Sequence, residues 1–226
     1  MNPDVMLQIR DAVVYLVALV LSICVHEFGH AYVADKLGDP VPRAQGRVTL
    51  NPLAHIDPIG TLLLPLAAFF TAIHNPEVGA RILGWGKPVQ VSLSARSMTR
   101  KISIATADIL ISLAGPMMNI LFGLLLSGIY VALVKFQSPL QRPVFFIVAM
   151  NIGLAFFNLL PIPPLDGGNI LARMLQHRAA GFAEGLKRFG PYLLLGLLLS
   201  GGLARVMMPA RLVAHFWLTT LAGWIA

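Results

Sequence analysis

The chain has 226 residues, of which 57% are apolar and 12% charged. A soluble domain carries about 25% charged residues, so this chain cannot coat a water-exposed surface, and its hydrophobicity excludes disorder. The net charge of +7 does not signal nucleic acid, because the basic residues flank apolar runs instead of forming one patch.

What remains is an all-α polytopic membrane protein. The first apolar run, from about Ala12 to Ala34, is long enough to cross roughly 30 Å of hydrocarbon. Met1 to Asp11 lacks the basic region and cleavage site of a removable signal, so this run is expected to be a mature span. Its second half is interrupted by His26, Glu27 and His30. Residues 38–58 turn polar and Pro/Gly-marked, with Arg47 to Asn51 reading as a short strand or turn. Ile59 to Ile73 is apolar but short, and Pro65 interrupts it; it is expected as a re-entrant excursion. A second polar stretch, 74–101, ends in an alternating, extended-looking Gly84 to Val91.

A long apolar helix is expected from about Ile102 to Val134, and a further span from Val144 to Leu160, stopped by Pro161, Pro163 and Pro164. A polar-faced helix from Gly168 to Arg188 and two last apolar runs, Tyr192 to Met208 and Leu212 to Ala226, complete the chain. The count is about five to six transmembrane helices, a re-entrant segment and short membrane-associated β-strands. Residues 1–226 are expected to form one membrane-embedded domain, with a motif-bearing core at about 12–175 and C-terminal helices at about 189–226. The lone cysteine, Cys24, excludes an internal disulfide framework.

Chemistry concentrates at His26-Glu27-Phe28-Gly29-His30. On a helix, positions i and i+4 share a face, so both imidazoles can reach one metal ion, and Glu27 can take a proton from a water held there. Composition alone gives this match a chance of about 0.002. Three ionisable side chains inside a span are costly and mark function. A zinc hydrolase site needs a third ligand and an open fourth position. Asp166 stands out among the acidic residues, on irregular backbone that survives at membrane depth only inside protein or a cavity; capping the helix near Gly168 is its other reading. Asn158, near the end of the preceding span, can donate to an oxyanion. Asn119 reads as an interhelical hydrogen-bonding amide.

These residues resemble the site-2 protease family of intramembrane zinc metalloproteases. The match is HExxH at His26 to His30, GxxxN at Gly115 to Asn119, and NxxPxPxxDG at Asn158 to Gly167. The stretches Gly46 to Gly60 and Gly84-Trp-Gly-Lys-Pro88 also look like the compact prokaryotic members, without PDZ or CBS modules. The resemblance implies one Zn²⁺ per chain, held by His26, His30 and Asp166, with Glu27 as the catalytic carboxylate and Asn158 assisting. It implies hydrolysis of a peptide bond in a transmembrane or membrane-anchored protein. A metal carrier using the same ligands in transit is the alternative, but it has no use for Glu27 as a base and predicts paired broken helices, which the sequence lacks.

A common ligand depth requires the spans bearing His30 and Asp166 to run the same way, with the Gly115–Asn119 span opposed. Most of the 17 Lys and Arg residues then fall on the face nearest the ligands, which marks it as cytoplasmic. The expectation is an integral protein of a prokaryotic inner membrane, N-terminus outside and active site towards the cytoplasm. A substrate helix must unwind before cleavage, and its freed backbone needs partners. Gly84 to Val91, through Gly86, Val89 and Val91, or the region around Arg47 to Asn51, is expected to supply them by edge pairing.

Overall fold

The computed structural model describes residues 3–74, 84–92, 102–176 and 178–223. The first helix, α1 (Pro3–Leu37), extends the expected run at both ends. At 1.5 Å per residue its 35 residues reach about 50 Å, longer than a hydrocarbon core of about 30 Å, and its last turn is charged. Gly38, at φ 99°, turns the chain out of α1, a left-handed position that disfavours a side chain. A short helix, α2 (Val41–Ala44), follows.

The expected re-entrant run begins as a π-type turn over Pro58–Leu63 and continues as α3 (Leu64–His74). Asp57 caps the turn by accepting from the N–H groups of Ile59 and Gly60. Pro65 does not end the run; it stands one residue past the point where the π-type turn gives way to α-helix. Helix α4 (Ile104–Lys135) is capped by the Ser103 hydroxyl, which accepts from the Thr106 N–H. Helix α5 (Gln141–Asn158) ends at the proline-rich segment as expected.

The single polar helix expected from Gly168 to Arg188 is two helices, α6 (Asp166–Leu175) and α7 (Ala180–Leu199). The Leu175 carbonyl accepts from the N–H groups of both Arg178 and Ala179, which turns the chain. Beyond the turn, the charged end and the apolar run from Tyr192 merge into one helix. Gly201, at φ 71°, breaks it before α8 (Gly202–Val206) and α9 (Met208–Gly223).

Helices α1, α4 and α5 form the centre, packed on small residues. Ala34, Leu37, Ala107 and Ile111 make one buried cluster. A Cβ on Gly29 would stand 2.6 Å from the Ala114 carbonyl oxygen, so α1 and α4 approach backbone to backbone, as membrane helices do. Helix α6 packs on α4 and α7, and α9 on α5 and α4, where the Trp217 indole N–H donates to Ser127. Residues 6–37 and 104–135 are each long and apolar enough to cross a bilayer. Leu121, Leu124, Leu125 and Ile129 of α4 are exposed, an apolar outer surface suited to lipid.

Among the described residues there is no β-strand, which corrects the expectation of a strand at Gly84 to Val91; of the two readings of Arg47 to Asn51, strand or turn, the strand falls, and the chain bends at residues 48–49. Residues 84–92 do run extended, but their backbone is held by loops and side chains instead of a sheet ladder. Trp85 N–H donates to Gly60 O at 3.1 Å and Lys87 N–H to His55 O at 2.9 Å. Ser92 N–H donates to Asp39 Oδ2 at 2.6 Å, and Thr61 Oγ1 donates to Trp85 O at 2.7 Å. The rest of the second polar stretch, 75–83 and 93–101, and the last three residues of the final apolar run lie outside the described residues.

Candidate metal centre

One helical turn of α1 places His26 and His30 edge to face, with ring centroids 4.7 Å apart. Their Nε2 atoms lie 3.1 Å from each other. Asp166, the first residue of α6, reaches across with Oδ2 at 3.2 Å from His26 Nε2 and 3.4 Å from His30 Nε2. No side chain of the three is more than 13% exposed. Asp166 does not cap its helix; Leu165 holds the cap position without a side-chain bond, and Asp166 Oδ2 is buried with no hydrogen-bond donor.

The tautomers follow from backbone carbonyls, which can only accept. His30 Nδ1 lies 2.7 Å from the Ile111 carbonyl oxygen, so Nδ1 carries the proton. Asn119 Nδ2 donates to Ser22 O and to Asn151 Oδ1, which leaves Asn119 Oδ1 facing His26 Nδ1 at 2.7 Å. His26 Nδ1 is therefore protonated too. Asn151 is fixed in the same way, since its Nδ2 donates to Ile147 O and to the Ser22 hydroxyl.

As neutral imidazoles of these tautomers, both histidines present Nε2 lone pairs to the same point as a carboxylate oxygen. Three electron-pair donors so placed repel one another unless a cation stands between them. The donor set suits zinc, and the three separations approach the edge of about 3.3 Å that a tetrahedron with bonds near 2.0–2.1 Å would have. Imidazole Nδ1–H groups held by a carbonyl and an amide are the outer partners that orient ligating histidines.

The sequence reads Asn119 as an interhelical hydrogen-bonding amide, as it is, with bonds to Ser22 and His26 of α1 and to Asn151 of α5; it does not single out Asn151 or Ser22. The structure makes Asn119 the partner of His26, backed by both. The signal for Asn119 was its place in GxxxN; nothing local marked Asn151. Gly115 also has a definite reason: any Cβ there would run into the His30 and His26 rings.

Beside the histidines lies a cavity of about 420 Å³, lined among others by Glu27, Asn158, Val89, Val91, Asp108 and Arg173. Glu27 Oε2 accepts from the Val89 N–H at 3.0 Å. Asn158 Nδ2 donates to Leu154 O at 3.0 Å, leaving a second amide hydrogen for the cavity. Asp108, without a role in the sequence reading, pairs with Arg173 between α4 and α6. Of the expected substrate-contacting residues, Val89 and Val91 line the cavity. Gly86 does not: a Cβ on it would strike Ile23 of α1, so its bareness serves the approach of the extended segment to α1.

The family model described as Peptidase family M50 matches residues 14–138 and 132–197. The chain belongs to peptidase family M50. The resemblance to site-2 proteases is thereby borne out. The M50 chain is 35% identical over 207 residues to the Bacillus subtilis (strain 168) protein named "Putative zinc metalloprotease YwhC", a match covering 82% of this chain and 86% of that one. It is 31% identical to "Putative zinc metalloprotease Rip2" of Mycolicibacterium smegmatis, covering 82% of this chain and 66% of the relative. The Rip2 of Mycobacterium tuberculosis (strain ATCC 25618 / H37Rv) is 30% identical, with 83% and 67% covered. No solved structure matches the chain. His26, Glu27, His30 and Asp166 fall within the matched ranges.

Proposed function

We propose that this M50 peptidase is an intramembrane zinc metalloprotease that hydrolyses a peptide bond in a transmembrane or membrane-anchored protein. The reading rests on one observation above the others: Asp166 Oδ2, buried without a donor, faces two imidazole nitrogens whose far sides are already committed. His26, His30 and Asp166 would hold the ion. When bound, zinc supplies Lewis acidity that brings the pKa of a water in its open position down to about 7 and polarises the scissile carbonyl.

The chain's own groups do the rest. Glu27 engages the Val89 N–H through Oε2, which leaves Oε1 to take the proton from the attacking water and pass it to the departing amine. Asn158, with one amide hydrogen on Leu154 O, offers the other to the negative charge developing on the carbonyl oxygen. Val89 and Val91 stand on the cavity wall, where an unwound substrate segment would lie. The membrane reading assigns the whole chain to one embedded domain, its ligands towards the cytoplasm and its N-terminus outside.

The test is Glu27→Gln, with the full chain expressed beside wild type and membrane-protein fragments compared by proteomics. Glu27→Gln is expected to keep about one zinc per chain by elemental analysis and to lose every fragment that depends on the wild type. Equal fragment patterns would overturn the reading; zinc uptake across the membrane by both proteins would favour a carrier.

A further inference from the structure

Arg47 is buried, at 4% exposure, and each hydrogen bond it makes ends on a main-chain carbonyl. Its guanidinium donates to Ala54 O, to Lys87 O at 3.1 Å and to Pro88 O at 3.0 Å. Burying a guanidinium away from water is costly unless its donors are satisfied, and its rigid planar fork holds several carbonyls in fixed directions at once. The second of the carbonyls in the extended segment belongs to the peptide unit whose N–H is that of Val89. That one peptide plane is held at its oxygen by Arg47 and at its nitrogen by Glu27 Oε2.

We infer that Arg47 is a positioning residue for Glu27, acting through the Pro88–Val89 peptide. With its oxygen fixed by Arg47, the peptide cannot rotate, so the Val89 N–H stays aimed at one carboxylate oxygen and the other is turned to the cavity. A cation on the carbonyl oxygen also polarises the peptide and strengthens its N–H as a donor. Pro88 contributes a fixed φ and no competing N–H. The Ser92 N–H on Asp39 and the Lys87 N–H on His55 O anchor the segment on either side, so the clamp sets angle within a register already defined. A lysine in place of Arg47 would bring a point charge on a flexible stem to these carbonyls, without the rigid fork that holds all three.

The inference rests on the general-base reading of Glu27, and the experiment separates the two. Full-length wild type, Glu27→Gln, Arg47→Met, Val89→Pro and the Arg47→Met/Val89→Pro double variant are purified in detergent. They are assayed on a fluorophore–quencher peptide of one apolar transmembrane segment, with zinc measured in each. Activity in wild type that persists in Glu27→Gln, or no activity in wild type, refutes the base reading itself. With that control passed, Arg47→Met is expected to keep its zinc and lose about tenfold in kcat with KM little changed, as a misaimed catalytic group does. Val89→Pro, which deletes the N–H, is expected to lose a similar factor, and the double variant to be no worse than the poorer single. Multiplying losses, or wild-type turnover in Arg47→Met, would overturn the inference. Should Arg47→Met fail to accumulate, the same cycle with Arg47→Lys decides: a partial loss that vanishes in the Val89→Pro background supports it, and an independent loss refutes it.

Discussion

At the scale of the residue, the candidate centre is decided by what stands behind each imidazole. His30 leans on a carbonyl of α4, and His26 on an amide that is itself pinned by Ser22 and Asn151. An amide can swing and present the wrong end; a chain of bonds ending on carbonyls removes that freedom. Asn119→Leu is therefore expected to weaken zinc affinity by about 10- to 100-fold, the usual cost of losing an outer partner of a ligating histidine. Asn151→Leu, one link further out, is expected to weaken it less. Zinc titration against a competing chelator checks both, and equal affinities in all three proteins would count against the tautomer argument.

The elements matter because each ligand sits at a helix end or beside a bare backbone. Helix α6 begins at Asp166, and the preceding proline segment folds tightly enough that Cβ atoms on Gly167 or Gly168 would strike its own backbone at Leu159 and Pro163. Helix α7 presses on the same segment, since a Cβ on Gly190 would meet the Pro163 carbonyl, whereas Gly196 faces open space. Gly190→Ala is expected to displace the Asp166 segment and lower turnover on the order of tenfold, a typical effect of misplacing a reacting group. Gly196→Ala shares the helix and the gain in propensity and is expected to leave turnover unchanged. A peptide-cleavage assay of the pair separates pressure on the ligand segment from a change in helix stability.

For the whole molecule, the small-residue seams between α1, α4 and α5 leave the large apolar side chains of α4 outside, the inverse of a water-soluble core. The proposed orientation puts the α4–α5 connection outside and the α2 region in the cytoplasm. Cys24 is buried, so an introduced thiol can be read against little background. In intact cells, a membrane-impermeant maleimide is expected to label Phe136→Cys at once and Ala44→Cys only after lysis. The reverse pattern would invert the orientation without touching the site.

The sequence alone carried the apolar spans, the paired histidines and the lone distant aspartate. Those signals are local: a helix turns every 3.6 residues, so His26 and His30 share a face wherever the helix sits, and the cluster Pro161, Pro163 and Pro164 ends α5 just ahead of it. Tertiary structure alone decided that Asp166 turns to the imidazoles instead of capping α6. It also decided that Asn119 serves His26 from 93 residues away and that Val89 reaches Glu27 across 62. The strands expected near Arg47 and Val89 failed for the same reason. Alternation announces an extended backbone, but whether its N–H and C=O groups meet a neighbouring strand, or carboxylates and an arginine, depends on which surfaces the packed helices bring alongside.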